Sequence, residues 1–251
     1  MASVTDHYED LLADQYTWML GGDIAALAEG QAAVLRELGV SPGGAAGDTA
    51  VDLGCGPGAQ SLALADLGFR SVTAVDTSRK LLDELARYAG EPSPIRPVLA
   101  DLRTALPRVA APGTVAAVVC MGDTLPHLPA ASDVTALLGD VRDALAPGGH
   151  LVITYRDLTG RLEGTDRFLP VRSAADRLLT CFLEYVDEDT VQVHDLLHTR
   201  VDGEWSLRTS SYPKLRIGAD WLAGRCRAAG LEVRHDATGA RGMRVLHARK
   251  P

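Results

Sequence analysis

Only four cysteines occur in the 251 residues, Cys55, Cys120, Cys181 and Cys226, and none shares a C-x-x-C spacing. That rules out reading a zinc ribbon or a disulfide framework from the sequence, so no metal is expected. Isolated thiols of this kind fit a reducing compartment, the cytoplasm. An excess of basic charge is also missing. Twenty-five Lys+Arg face 33 Asp+Glu, a net charge of -8, so no nucleic-acid partner is expected. No apolar run approaches the length that spans a bilayer. Residues 1–7 have neither a basic nor an apolar leader region, so no membrane or secretory role is expected. Hydrophobic residues at 46% and charged residues at 23% are ordinary for a globular chain. The length suits one large domain, or one domain carrying an insertion.

The pattern along the chain falls into four parts. Residues 1–48 hold an aromatic stretch, His7 to Leu20 with Tyr8, Tyr16 and Trp18, that ends in Gly21-Gly22. A helix follows from Ile24 to Leu38 and stops at Gly39; Ser41 to Gly47 is a loop of Pro and Gly. Residues 49–157 alternate in βα rhythm. Strands are expected at Ala50–Leu53, Ser71–Val75, Ile95–Leu99, Val115–Cys120 and Leu151–Tyr155. Helices run through Leu67, over Ser78–Tyr88, and over Ser132–Leu145 with Ser132 as N-cap. Residues 158–212 change character. Leu178–Val186, Thr190–His198 and Glu204–Tyr212 read as strands joined by short polar turns, an inserted antiparallel cap. Residues 213–251 return to the core with a helix over Asp220–Ala229 and strands over Leu231–His235 and Met243–Ala248. The expected fold is α/β, a doubly wound and mostly parallel seven-stranded sheet with helices on both faces.

The chemistry concentrates in Val51-Asp52-Leu53-Gly54-Cys55-Gly56-Pro57-Gly58. Three glycines at alternate positions, between a strand and a helix, let the backbone turn sharply and approach a ligand closely. In an open α/β sheet this turn lies at the carboxyl end of the first strand, where ligands bind. Asp76 ends the second strand, 18 residues after Gly58, where a carboxylate accepts both ribose hydroxyls. Asp101 follows the third strand, placed to accept from an adenine amino group. Asp52 is placed to anchor an ammonium group, directly or through water. These three acids favour S-adenosylmethionine over a dinucleotide. Gly54, Gly56 and Ala59 also satisfy G-x-G-x-x-A, but a pyrophosphate at the helix N-terminus does not suit an acid in the approach to the loop.

The ordered motifs resemble the seven-stranded S-adenosylmethionine-dependent methyltransferases: Val51 to Gly58, Val75-Asp76, Asp101, Val118 to Asp123, and Leu145-Ala146-Pro147-Gly148-Gly149. The resemblance implies a cofactor-binding set of Asp52, Gly54, Cys55, Gly56, Gly58, Asp76, Thr77, Ala100, Asp101, Leu102 and Met121, with Gly122 next to it. Within that family the chain looks most like the glycine and sarcosine N-methyltransferase branch. The supporting residues are Gln15-Tyr16 before an aliphatic-Gly-Gly stretch, Cys120-Met121-Gly122-Asp123-Thr124-Leu125-Pro126-His127-Leu128, Arg156 after the fifth strand, and Ser210-Ser211-Tyr212-Pro213. The branch's roles imply that Arg156 binds a substrate carboxylate and that Tyr16 lies beside the methyl donor. Asp123 stands where the branch has asparagine, adding a negative charge that favours an acceptor with an extra cationic group.

The expectation is therefore methyl transfer to a small molecule, N-directed, giving S-adenosylhomocysteine. Tyr16, His127 and Asp123 line the acceptor site, with Arg156, Tyr212 and Trp18 as substrate contacts and Tyr8 as a further candidate. O-methylation with His127 as base, a NAD-dependent oxidoreductase and a non-catalytic cofactor-binding protein stay open, as does a homo-oligomer. His194 and His198 invite a metal reading, but Val191 and Val193 mark a strand, on which residues four apart are about 13 Å apart. Arg241, Arg244, Arg249 and Lys250 read as a solvated strand end.

Overall fold

The computed structural model describes residues 4–43 and 46–251. Gly44 and Ala45, in the expected loop, lie outside them, as do residues 1–3. The core is a seven-stranded sheet in the order β10-β11-β5-β4-β1-β2-β3. Its strands are β1 (Thr49–Leu53), β2 (Ser71–Asp76), β3 (Ile95–Leu99), β4 (Val115–Cys120), β5 (Leu145–Tyr155), β10 (Glu232–Thr238) and β11 (Arg244–Arg249). Strands β1 to β5 pair in parallel, and β11 runs antiparallel to both β5 and β10. The order reverses at β1, which is flanked by β2 and β4. This switch point opens a crevice above the strand ends. Every residue of β4 is buried, the signature of a central strand covered on both faces.

Helices cover the sheet: α3 (Ile24–Glu37), α4 (Ala59–Asp66), α5 (Arg79–Ala89), α6 (Leu102–Val109), α7 (Ala131–Ala144) and α8 (Ala219–Ala228). Ser78 caps α5 by accepting from the Leu81 amide at 3.4 Å, and Leu81, Leu82 and Leu85 form its buried stripe. Helix α7 starts one residue before the expected cap. Asp133, not Ser132, closes its first turn by accepting from the Ala130 amide at 3.1 Å. Helix α6 was not foreseen, because Pro107 lies inside it and proline argues against a helix.

Strands β6 (Phe168–Ser173), β7 (Arg177–Tyr185), β8 (Thr190–Val201) and β9 (Glu204–Leu215) form a second, antiparallel sheet. β9 runs three residues beyond the expected end of the insertion at 212. β6 escaped the sequence reading because it is a mostly exposed edge strand containing Pro170 and lacks alternation. β8 alternates strictly, with Val191, Val193, Asp195 and Leu197 turned inward. Against that inner face lies the N-terminal strap. It comprises α1 (Val4–His7), a π-helical turn over Tyr8–Leu12, and α2 (Ala13–Leu20). Leu11 and Leu12 of the strap cluster with Leu179 and Leu197 of the sheet. The strap is also tied to the core, through Ser78 donating to Glu9 at 2.5 Å and Thr17 donating to Glu84 at 2.5 Å. Among the described residues no helix is long and apolar enough to cross a membrane.

Candidate active site

The crevice at the switch point holds a cavity of about 230 Å³. Its floor is the turn from β1 into α4. The Gly54 and Cys55 amides both donate to the Val75 carbonyl, at 2.8 and 3.0 Å, which fixes the turn to the end of β2. Gly54 has φ +73°, and a Cβ there would stand 2.2 Å from Thr124 Cγ2. Only glycine allows this approach, which brings the loop after β4 against the turn. Gly58 is required for a different reason. A Cβ would meet Leu85 Cδ1 at 2.1 Å, so this glycine seats α4 against α5, and it does not line the cavity.

Asp76 is the central acid. One carboxylate oxygen accepts from the Gly56 amide at 2.8 Å and the other from the Ser78 amide at 2.8 Å. The side chain borders the cavity, and a carboxylate oxygen can accept more than one hydrogen bond. Burial pushes its pKa up, against the pull of these backbone bonds. Thr77, Ala100, Asp101 and Leu102 complete this side. Asp101 caps α6 and is gripped by Arg103, whose Nε reaches its two oxygens at 3.1 and 3.0 Å. That hydrogen-bonded partner lowers the Asp101 pKa. Arg103 also borders the cavity; nothing in the local pattern singled it out.

Three expected cofactor residues lie behind this surface. Asp52 is 1% exposed. It accepts from Ser61 Oγ at 2.6 Å, while its Oδ1 has no partner. Burial pushes its pKa up to about 7. Cys55 and Met121 are buried as well, and none of the three lines the cavity.

The opposite wall comes from two distant segments. The strap contributes Val4, Thr5, Tyr8 and Tyr16, and the turn after β4 contributes Thr124, His127, Leu128 and Pro129. Tyr8 Oη lies 3.4 Å from His127 Nε2. Tyr212 is in a second layer, stacked on the His127 ring at 5.1 Å. Burial pushes the Tyr16 pKa up to about 12, with the Asp76 charge adding to it. The Tyr8 and Tyr212 phenols are raised in the same way. Burial, then the positive charge of Lys214, lowers the His127 pKa. At neutral pH this wall therefore consists of protonated phenols and an uncharged imidazole.

Three further candidates lie elsewhere. Arg156 is exposed, and its guanidinium donates to the Arg241 carbonyl at 3.2 Å, outside the cavity. Trp18 packs beneath the guanidinium groups of Arg177 and Arg172, 5.0 and 5.9 Å from its ring. Asp123, at φ +74°, is committed internally. One oxygen accepts from the Arg156 amide at 2.8 Å and the other meets the Lys214 ammonium in a largely buried ion pair. The negative charge expected to attract a cationic acceptor is thus offset by Lys214. The sequence reading missed that lysine, although period-2 spacing puts it on the face of β9 that carries Tyr212. His194 and His198 do lie on a strand, and His194 pairs with Glu184 at 2.8 Å. Among the described residues no three His, Cys, Asp or Glu are grouped to hold a metal ion.

Residues 50–149 match the family model described as a methyltransferase domain. Residues 50–149 are thus a methyltransferase domain, whose cofactor is S-adenosylmethionine. Solved structures share the enzyme's whole fold. The CcbJ methyltransferase from Streptomyces caelestis is 23% identical with a TM-score of 0.75, the alignment covering 97% of each chain. The amino pentose methyltransferase CalS10 from Micromonospora echinaspora, solved with S-adenosylmethionine bound, is 17% identical with a TM-score of 0.73, covering 95% of this chain and 96% of that one. The sugar N-methyltransferase KedS8 from Streptoalloteichus is 19% identical with a TM-score of 0.67, covering 97% and 93%. No curated protein matches the enzyme by sequence. The cavity fits the cofactor: Asp76 brings a carboxylate to its border, and Gly54 and Gly56 line it with no side chain to fill it.

Proposed function

We propose that the enzyme methylates the amine nitrogen of a small, hydroxylated acceptor that lacks a carboxylate, an amino sugar being the favoured class. The observation that carries this reading is the uncharged wall of Tyr8, Tyr16 and His127 facing the Asp76 side of one cavity. Asp76 holds the ribose, Thr77, Ala100, Asp101 and Leu102 surround the adenine, and the Gly54–Gly56 turn receives the methionine end. Asp52, Cys55, Gly58 and Met121 support that turn from behind. When bound, the cofactor supplies an electrophilic methyl carbon on a sulfonium centre.

The residues of this chain do the remaining work. An amine attacks through its lone pair, so it must first lose its extra proton. A dry wall without a carboxylate favours that neutral form. The phenol oxygens of Tyr8 and Tyr16 accept hydrogen bonds from the amine and its neighbouring hydroxyls, and His127 Nε2 holds the Tyr8 hydroxyl in place, which orients the nitrogen. As positive charge builds on nitrogen, the tyrosine ring faces stabilise it. O-methylation requires a base strong enough to take a hydroxyl proton, and the depressed pKa of His127 makes it a weak one. Kinship with the glycine and sarcosine branch is kept in this reading only as N-directed transfer, because Arg156 lies outside the cavity. The names of the amino pentose and sugar N-methyltransferases support a sugar-like acceptor. Four free cysteines suit a cytoplasmic setting.

The test is transfer of labelled methyl from the donor to three acceptor sets: amino sugars, glycine-like amino acids, and phenols. Turnover of amino sugars above the other two is the expected result. Turnover confined to amino acids or phenols overturns the reading.

A further inference from the structure

Behind the acceptor wall lies a second, closed layer of polar groups. His7, the last residue of α1, is fully buried, and Asp195 of β8 is 1% exposed. His7 Nε2 lies 2.9 Å from Asp195 Oδ2. The carboxylate oxygen is the acceptor and the His7 Nε2–H the donor. The other Asp195 oxygen accepts from Cys181 Sγ at 2.6 Å, which fixes the carboxylate from β7 as well. The His7 ring rests on Tyr212, with centroids 4.3 Å apart. Tyr212 stacks on His127, and His127 meets Tyr8, the chain neighbour of His7. The path from Asp195 thus passes through His7, Tyr212 and His127 and returns to the strap. Only Tyr8 and His127 of this circuit border the cavity.

We propose that His7, held by Asp195, is a positioning residue for the methyl acceptor: it sets the Tyr212 ring, and through it the His127 and Tyr8 groups that select the substrate. The inference rests on the reading of this wall as the acceptor side. Among the described residues neither His7 nor Asp195 hydrogen-bonds to the glycine turn or to Asp76. The pair therefore acts on acceptor placement and not on donor binding. A general structural clasp would affect both, since the same strap covers both sides of the cavity.

The experiment compares wild type with His7→Gln, which keeps a donor near Asp195 and removes the ring, and with Asp195→Asn, which is isosteric. The readouts are acceptor KM, using the wild type's best amino sugar, and donor Kd by calorimetry. For His7→Gln the acceptor KM rises about tenfold or more while donor Kd stays within about twofold; Asp195→Asn shifts KM in the same direction by less. Combining His7→Gln with Tyr212→Leu costs no more than the worse single change, as expected for groups acting through one another. Equal losses in donor and acceptor binding, or additive effects, overturn the proposal. If the wild type methylates none of the amines, the functional reading falls, and this inference is then decided separately. Nitrogen NMR of the His127 ring, with S-adenosylhomocysteine bound, shifts between wild type and either variant if His7 positions it. An unchanged His127 signal overturns the inference. Should His7→Gln fail to fold, Asp195→Asn carries both measurements.

Discussion

The two walls of the cavity are built by different means. The donor side is local and held by backbone. Gly54, Cys55, Gly56 and Ser78 all donate main-chain bonds within the segment from β1 to α5. The acceptor side is assembled from the strap, the turn after β4 and the antiparallel sheet. It is held by side chains such as the Lys214–Asp123 and His7–Asp195 pairs. A backbone-built cradle tolerates change around it and suits a ligand that does not vary. A wall built from side chains on separate elements can be re-cut for a new acceptor by a few substitutions.

The comparison is broken most forcefully at Lys214. Its side chain is 8% exposed and that of Asp123 14%. Lys214→Met leaves a nearly buried carboxylate without its counter-charge, at an expected cost of about 3–5 kcal/mol. Thermal unfolding of the variant falls by roughly 6–20 °C at about 2–4 °C per kcal/mol. Adding Asp123→Asn to Lys214→Met recovers much of the loss. A Lys214→Met enzyme as stable as wild type would mean that this wall is not held by its ion pair. Next in size is Asp76→Ala on the donor side. On the proposed reading it removes the carboxylate that holds the ribose, and it frees the Gly56 and Ser78 amides. Donor affinity falls about 100-fold or more, about 3 kcal/mol, with acceptor KM, measured at saturating donor, changed far less. Comparable losses on both sides would erase the division between the walls.

The same division explains what the sequence disclosed. The sheet was legible because β1, β2 and β4 are apolar runs separated by amphipathic helices and glycine turns. Asp76 and the glycine turn were legible because they lie within one βα unit and its successor. The roles of Gly54 and Gly58 were not, since each depends on a side chain far along the chain, Thr124 and Leu85. Arg156 and Asp123 illustrate the acceptor side. Their place in the chain suggested site residues, yet a guanidinium bound to the Arg241 carbonyl and a carboxylate bound to Lys214 are decided by tertiary pairing. His7 and Asp195 are separated by 188 residues, and no local pattern joins them.

A third measurement sharpens the donor side without any ligand. Asp52 has a folded-state pKa near 7 against an ordinary 3.8, raised by burial. The folded chain therefore holds this proton more tightly than the unfolded chain. Stability falls as pH rises from about 4 to about 7, by at most roughly 4 kcal/mol and, once the site relaxes, nearer 2 kcal/mol. Asp52→Asn removes that penalty. The melting temperature of the variant relative to wild type rises between pH 5 and pH 8 by several degrees. A constant difference across that range would show that Asp52 Oδ1 has found a compensating donor.

The smallest expected effect falls on Arg156, and it bears most directly on what the enzyme methylates. The guanidinium is exposed and its bond to the Arg241 carbonyl is one that water replaces at little cost. Arg156→Ala leaves donor Kd and amino-sugar KM within about twofold of wild type, because the residue does not line the cavity. The backbone amide of position 156, which donates to Asp123, survives the substitution. A carboxylate clamp predicts the opposite, since an arginine fork on an acidic substrate is worth a tenfold or larger change in KM. Such a rise in the Arg156→Ala enzyme, specific to acceptors with a carboxylate, would return the acceptor to the amino-acid class and shift the acceptor wall toward the end of β5.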